Sequence, residues 1–133
     1  MVKFFLVLGL LFSVSLLSPQ PCAAFRSISI GMAAPAVAVR DLDAKEAQVS
    51  FGQRVVVLAF WRSSQPFSLA ALKDLEQIRK EFSPKGVEIV AILEGTGQPA
   101  PVREAIKGLG ISYPIYLDPD RQVEEAYGVI VFP

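Results

Sequence analysis

Three short stretches of the chain are dominated by apolar residues and predict strands. The run at residues 55–60 is uninterrupted and rich in valine, and similar stretches follow at 87–93 and 113–117. An unbroken apolar run of this length, rich in β-branched residues, is typical of a parallel strand that is covered on both faces. We therefore expect three strands, with residues 55–60 at the centre of the sheet.

Between these strands the apolar residues recur at helical spacing. The first helix is predicted to begin at Pro66, because the first turn of a helix has no use for the N–H that proline lacks, and to end near Phe82. Its predicted inward positions are Ala71, Leu72, Leu75, Ile78 and Phe82, and the charged positions between them are Lys73, Asp74, Glu76, Arg79 and Lys80. A second helix is predicted from Pro101 and a third over residues 121–127. Strands that alternate with helices predict an α/β fold with a parallel sheet.

A β-hairpin is predicted ahead of the first of these strands. Val37, Val39 and Leu42 follow the alternation of a half-buried strand, residues 41–45 have the composition of a turn, and 48–51 predict a short returning strand.

The first 24 residues have the order of a secretory signal peptide. Lys3 is followed by a predominantly apolar stretch of fourteen residues, 4–17, and by a stretch of small residues that ends at Ala24. The alternative is a membrane anchor, but the apolar run is shorter than the ~20 residues that a helix needs to cross a bilayer. We expect cleavage after Ala24, a single domain over residues 25–133, and export to the periplasm or the extracellular space, so that the membrane is contacted only through the signal peptide.

Composition excludes several kinds of chemistry. Lys plus Arg and Asp plus Glu number 13 each, so the formal net charge is +0 and no nucleic-acid partner is indicated. The chain has no histidine, which excludes Ser-His-Asp and Cys-His nucleophiles and metal sites built on imidazole. Its single cysteine, Cys22, falls within the predicted signal peptide. A chain cleaved after Ala24 would contain no thiol for disulfides or redox catalysis.

The end of the first strand resembles the active-site turn of a known family. The strand ends in Phe-Trp, at Trp61, and the start of the helix reads Gln65, Pro66, Phe67 and Ser68. This resembles exported thioredoxin-like proteins of the TlpA/redoxin group, related to alkyl hydroperoxide reductase and thiol-specific antioxidant proteins, in which the four positions are Cys-Pro-Pro-Cys. The resemblance implies a thioredoxin-like fold of three α/β/α layers around a mostly parallel sheet. It also implies that both cysteines of a thiol-disulfide exchanger are replaced here, and neither an amide nor a hydroxyl can substitute for a thiolate.

Segments at both ends of the proposed domain also resemble the family. Residues 31–35 match the Gly-x-x-Ala-Pro that precedes the family's hairpin, and the segment 126–133 resembles the one that leads to the family's cis-proline, which faces the active-site turn. Pro133 would then occupy the cis-proline position. A further hairpin and helix follow that proline in the family, so the resemblance implies a C-terminally truncated domain. Without them the strand at 55–60 becomes an exposed edge, open to pairing with another chain.

Gln65 and Ser68 have two interpretations. They either line a groove that kept its shape and binds an extended peptide, or they only cap and start a helix, for which Ser63 or Ser64 could serve as the N-cap in the same way. The second interpretation is the simpler one. For Trp61 we favour packing in the core over a surface contact beside the turn.

Acidic residues raise the alternative of a cation site. Asp118 with Asp120, and Asp41 with Asp43, each offer two carboxylates, fewer than a calcium loop requires. We expect them to be turn residues that bind nearby backbone N–H groups, and we expect no metal or cofactor. Glu94 follows a parallel strand, where such sheets place functional groups, but a single carboxylate indicates little.

Besides a nonfunctional remnant, two functional hypotheses remain. The first is a redox-inactive binding or structural module with a degenerate active site, whose partner would be an extended peptide or a protein at the turn or at the exposed sheet edge. The second is a thiol-disulfide oxidoreductase or a peroxiredoxin-type antioxidant protein, as the family implies, but a peroxiredoxin also needs a reactive cysteine.

Overall fold

The computed structural model describes residues 27–52, 54–95 and 98–133. The predicted signal peptide, its cleavage site and Cys22 lie outside the described residues. The elements are β1 (Val37–Arg40), β2 (Glu46–Val49), β3 (Val55–Trp61), α1 (Pro66–Phe82), a 3-10 turn (Ser83–Lys85), β4 (Val87–Glu94), α2 (Pro99–Ile106), β5 (Ile115–Asp118) and α3 (Gln122–Tyr127). No helix in the described ranges is both long and apolar enough to cross a membrane.

Five strands form one mixed sheet in the order β2-β1-β5-β4-β3. β3 pairs with β4 in parallel over its whole length, from Val55 opposite Val87 to Trp61 opposite Leu93. β4 also pairs in parallel with β5, so the strand–helix alternation predicted the parallel half of the sheet correctly. The predicted hairpin is present as β1 and β2, and it joins the sheet through an antiparallel contact between β1 and β5.

The core has two clusters, one on each face of the sheet. Val90 and Ile92 of β4 belong to one cluster, and Ile89, Ala91 and Leu93 belong to the other. Because alternate residues of a strand face opposite sides, β4 is buried on both. Leu72 of α1 and Val102 of α2 cover one face, whereas Val123 and Tyr127 of α3 cover the other together with Val37 of the hairpin. This is the three-layer α/β/α arrangement that the resemblance implied.

β3 lies at the edge of the sheet and not at its centre. Among the strands that the structure describes, it pairs only with β4. Val55 is 64% exposed, and only Phe60 and Trp61 at the end of the strand are buried. The apolar sequence of β3 is typical of a central strand. Its place in the sheet therefore does not follow from its own sequence. The alternative expectation of an open edge describes β3 correctly.

Helix α1 has the predicted bounds, and Gly86 ends the turn that follows it with the left-handed φ of 85° that glycine adopts at low cost. α2 begins at Pro99, two residues before the predicted Pro101. The inward face of α1 was predicted less well. Ile78 is 44% exposed, whereas Glu76, assigned to the solvated face, is 3% exposed.

Glu76 is buried because it has polar partners from another part of the chain. Ser112 donates to its carboxylate from the backbone N at 3.0 Å and from Oγ at 2.9 Å, and Arg79 donates from one turn along the helix at 3.0 Å. These bonds, that of Arg79 above all, lower the pKa of Glu76 to about 2, although burial acts in the opposite direction. The ionised carboxylate of Glu76 therefore connects α1 to the loop ahead of β5.

Candidate functional site

The turn between β3 and α1 places Gln65 at the N-terminus of the helix. The N–H of Gln65 bonds to the carbonyl oxygen of Arg62 at 3.3 Å, which closes the turn. Gln65 is the N-cap, with an extended backbone of φ −108° and ψ 118°, a conformation that the following Pro66 favours. Its side chain makes no capping bond. Of the candidate N-caps, Gln65 takes the position, and Ser63 and Ser64 are exposed residues within the preceding turn.

Ser68 is the polar centre of this turn. It is fully buried, and its hydroxyl donates to the backbone oxygen of Pro133 at 2.8 Å. The same oxygen atom, Oγ, accepts a hydrogen bond from the backbone N of Arg62 at 3.2 Å. One hydroxyl thus connects the end of β3, the first turn of α1 and the segment at Pro133. The two positions that the resemblance brings together, the turn and the proline, are in contact.

The backbone at Pro133 differs from the family's in one respect. None of the peptide bonds that the structure describes is cis, so the bond between Phe132 and Pro133 is trans. Pro133 therefore lies at the turn without the cis geometry expected of the position.

Trp61 is a core residue, as we favoured from the sequence. It is 1% exposed and packs in the cluster with Leu72 and Val102. Its indole N–H is buried without a hydrogen-bond partner among the described residues, and so is the amide oxygen of Gln65. A buried polar atom without a partner costs about 1–3 kcal/mol. Two of the buried polar atoms at the turn therefore lack the hydrogen bonds that buried polar atoms normally make.

A chain of ion pairs lies beside the turn, at the carboxyl ends of the parallel strands. Arg62 holds Glu94 through two hydrogen bonds, one of them from Nη2 at 2.7 Å, and its guanidinium lies 4.2 Å from the ring centroid of Phe132. Arg121 lies 4.0 Å from Glu94 and 2.6 Å from Glu124. The carboxylate of Glu94 is therefore paired with two arginines and is not free to act alone.

Sequence reasoning missed Arg62 and Arg121 as partners of Glu94, and it missed the contact between Arg62 and the ring of Phe132. A usable signal existed for Arg62, because it follows β3 directly and Glu94 ends β4. The carboxyl ends of adjacent parallel strands meet at one edge of a sheet. No comparable signal identifies Phe132.

Apolar side chains are exposed on the helix side of the turn, next to the exposed Ser63 and Ser64. Pro66 and Phe67 are exposed, and Phe67 is 80% accessible to solvent. Val131, two residues before the contact with Ser68, is 55% exposed. These side chains leave an open apolar surface around a polar contact that is itself buried.

Asp118 and Asp41 bind nearby backbone N–H groups, as predicted, although Asp118 is the last residue of β5 and not part of a turn. Asp118 is 2% exposed, and its Oδ2 accepts hydrogen bonds from the backbone N of Val123 at 3.0 Å and of Glu124 at 2.9 Å. Asp41 binds two backbone N–H groups within its own turn in the same way. Within the described part of the chain, no group of three or more acidic or sulfur ligands could hold a metal ion.

Chemically, the turn offers a bound hydroxyl and a buried amide. Ser68 lacks a general base and its oxygen is already occupied by two hydrogen bonds, so it is poorly suited to act as a nucleophile. Neither position 65 nor position 68 supplies sulfur. The arrangement can hold segments of chain together, and its surface can contact a partner.

Solved structures share this architecture. The thioredoxin domain of a thiol-disulfide oxidoreductase from Bacteroides vulgatus superimposes with a TM-score of 0.70, at 22% identity, over 80% of this chain and 79% of that one. A secreted disulfide oxidoreductase of Mycobacterium tuberculosis gives a TM-score of 0.61, at 19% identity, over 70% of this chain and 68% of that one. The fold is thioredoxin-like.

Sequence comparison then gives the family. Residues 30–132 match the AhpC/TSA family, and the chain belongs to it. The thiol-disulfide oxidoreductase ResA of Bacillus subtilis (strain 168) is 34% identical over 108 residues, which cover 80% of this chain and 60% of that protein. ResA of Bacillus cereus (strain ATCC 10987 / NRS 248) is 27% identical over 107 residues, or 61% of its length. The chain thus spans about three fifths of the length of these relatives.

Proposed function

We propose that this chain is an exported thioredoxin-like domain with a degenerate active site, which acts as a redox-inactive binding module. The observation that carries the proposal is the buried hydroxyl of Ser68, bonded to Pro133 and to Arg62 where the family would have a thiol. A thiol there would serve electron transfer, whereas the hydroxyl serves as a structural tie between three segments.

The proposal of a redox-inactive role rests on the chemistry of disulfide exchange. The reaction requires a thiolate that attacks a disulfide and a second thiol that resolves the mixed disulfide. Gln65 and Ser68 supply neither, and the single cysteine of the chain is Cys22. The names of the relatives favour thiol-disulfide oxidoreductase activity as a second candidate, and the missing thiols oppose it.

Export is proposed from two observations. The first 24 residues have the order of a signal peptide, and one structurally similar protein is described as secreted. A processed chain of residues 25–133 would keep all the helices, strands and core residues that the structure describes.

The exposed apolar surface at the turn suits a binding role. Phe67 projects from the first turn of α1, and Val131 lies in the segment held beside it. Large apolar side chains that remain exposed next to a fixed backbone segment are typical of contact surfaces. We propose that this surface, defined by Pro66, Phe67 and Val131, binds an extended polypeptide.

Enzymatic assays test the redox-inactive role. Residues 25–133 should neither reduce the disulfides of insulin in the presence of dithiothreitol nor consume hydrogen peroxide above the buffer rate. Turnover in either assay that scales with protein concentration and survives repurification would overturn the proposal.

The binding role is tested with a thiol-free extended chain. Reduced, carboxymethylated α-lactalbumin is a suitable probe, and Phe67→Ser should weaken its binding at least about tenfold, as truncation of an aromatic anchor does. Met32→Ser, which changes a 55% exposed apolar residue on another part of the chain, is the matched control and should leave binding unchanged. Equal binding by all three proteins would remove Phe67 from the contact surface.

A further inference from the structure

Two arginines, Arg62 and Arg121, lie close together beside the turn and form what we call the arginine pair. Arg62 follows β3 directly, and Arg121 precedes α3. Arg62 holds Glu94 through two hydrogen bonds, and Arg121 lies 4.0 Å from the same carboxylate. Arg121 is also bonded to Glu124 at 2.6 Å. The two guanidinium groups therefore share one carboxylate between them.

The arginines of this group are exposed, and the carboxylates are more deeply buried. The side chain of Arg62 is 39% exposed and that of Arg121 is 56% exposed. The carboxylates are less accessible, at 15% for Glu94 and 9% for Glu124. The four charges sum to zero, but an approaching molecule meets the guanidinium groups first. Because the interaction of two charges weakens with distance, the surface that a partner meets here is positive.

Each arginine keeps hydrogen-bond donors for a further acceptor. A guanidinium group has about five N–H donors. Arg62 uses Nε and Nη2 to bind Glu94, and Arg121 uses the same two atoms to bind Glu124. Neither Nη1 atom donates a hydrogen bond to any residue within the described ranges. Both Nη1 groups therefore remain for an acceptor that belongs to a partner.

Repulsion between the two arginines also favours a negatively charged partner. Glu94 raises the pKa of Arg62 by accepting its hydrogen bonds, and the nearby charge of Arg121 acts in the opposite direction. The like charges are thus close enough to affect each other. A second carboxylate placed between the exposed guanidinium groups would offset this repulsion.

The arginine pair adjoins the surface that we propose binds an extended polypeptide. The carbonyl oxygen of Arg62 accepts the hydrogen bond that closes the turn at Gln65. The guanidinium of Arg62 lies 4.2 Å from the ring centroid of Phe132, the residue after Val131. This ring contact helps to hold the guanidinium in place. A polypeptide that contacts Val131 would therefore pass beside Arg62.

We propose that Arg62 and Arg121 select extended polypeptides that carry an aspartate or a glutamate next to an apolar residue. The apolar residue contacts the surface of Pro66, Phe67 and Val131, and the carboxylate accepts hydrogen bonds from the free Nη1 groups. Arginine suits this role because its planar group matches the two oxygens of a carboxylate, and such charge-assisted bonds are stronger than neutral ones. The inference rests on the proposed binding function and adds the chemical class of the partner.

Two matched peptides test this preference. One is Gly-Ser-Leu-Phe-Glu-Glu-Leu-Gly-Ser with a fluorescent N-terminal label and an amidated C-terminus, and in the other both glutamates are replaced by glutamines. In fluorescence anisotropy at low salt, residues 25–133 should bind the glutamate peptide at least about fivefold more tightly than the glutamine peptide. The ratio should fall below about twofold at about 1 M salt, because the Debye length is then only ~3 Å.

Arginine variants test whether the preference arises at this site. Arg121→Gln should lower the preference for the glutamate peptide to less than about twofold and leave the affinity for the glutamine peptide unchanged. Arg54→Gln is the matched control and should keep the full preference. Arg54 also bonds to a glutamate, Glu88, at 2.6 Å, but it lies at the opposite end of β3. Phe67→Ser should weaken the binding of both peptides by the same factor.

The outcomes separate this inference from the proposed binding function. Equal binding of the two peptides by the parent chain, or a preference that Arg121→Gln retains, overturns the role of the arginine pair and does not affect the binding function. Binding of carboxymethylated α-lactalbumin without binding of the glutamate peptide also overturns that role. If the parent chain binds none of the three probes, the proposed binding function is wrong and this inference falls with it. Because the peptides are compared on the parent chain, the result does not depend on whether a variant folds.

Discussion

The hydroxyl of Ser68 donates a hydrogen bond to the backbone oxygen of Pro133, 65 residues further along the chain, over 2.8 Å. The donor, Ser68, is fully buried, whereas Pro133 is an exposed residue. The contact brings the start of α1 and the segment after α3 together at the carboxyl ends of the parallel strands. It is the structural basis for interpreting the turn as a former redox centre.

Loss of this hydroxyl should destabilise the fold. Ser68→Ala removes two partly buried hydrogen bonds, one from the N–H of Arg62 and one to the backbone oxygen of Pro133. We expect the free energy of unfolding to fall by about 1–3 kcal/mol in urea denaturation. Ser64→Ala, at an exposed position of the same turn, should stay within about 0.5 kcal/mol of the parent. Equal stability of the two variants would contradict the structural role of Ser68.

Asp118 should matter more than its neighbour Asp120. The buried carboxylate of Asp118 binds the backbone N–H groups of Val123 and Glu124 at the start of α3. Asp118→Ala should therefore lower the free energy of unfolding by about 1–2 kcal/mol. Asp120→Ala removes an exposed side chain and should have little effect. Thermal or urea denaturation measures the stability of both variants. A larger loss of stability in Asp120→Ala would contradict the role of Asp118 at the start of α3.

Stability should decrease in acid partly through Glu76. Its pKa is lowered from 4.5 to about 2 in the folded chain, so the ionised carboxylate stabilises the fold fully above pH 4.5. That stabilisation is lost as the pH falls from 4.5 towards 2, because the unfolded chain binds the proton first. Urea midpoints measured across this range should fall less steeply for Glu76→Gln than for the parent.

Glu81→Gln provides the control for this pH dependence. Glu81 lies on the same helix, and its side chain is 66% exposed. For this variant, the urea midpoint should fall with decreasing pH as steeply as it does for the parent. If the urea midpoints of Glu76→Gln and Glu81→Gln depend equally on pH, the ion pair of Glu76 with Arg79 does not contribute to stability as described.

Much of the fold could be predicted from local patterns. The apolar run at 55–60 and the helical spacing after Pro66 predicted β3 and α1 to within one residue at each end. These elements are determined by periodicity and by the effect of proline on its neighbours, and both are local properties of the sequence.

The errors concern residues whose environment is set by distant parts of the chain. Glu76 is buried because Ser112, 36 residues away, offers two hydrogen bonds, and no pattern on α1 indicates this. The contact between Arg62 and the ring of Phe132 also joins distant parts of the chain, and no local pattern indicates it. The edge position of β3 depends on which strands lie beside it, and its own apolar sequence does not encode that.

The measurement that tests the account most directly is disulfide formation in Gln65→Cys combined with Ser68→Cys. In residues 25–133 these are the only two thiols, and they would lie at the N-cap and in the first turn of α1, where the family has its dithiol. We predict that the oxidised double variant contains one intramolecular disulfide, with no free thiol by mass spectrometry, and that dithiothreitol reverses it. A folded double variant that keeps two free thiols under oxidising conditions would contradict the assignment of Gln65 and Ser68 to the dithiol positions.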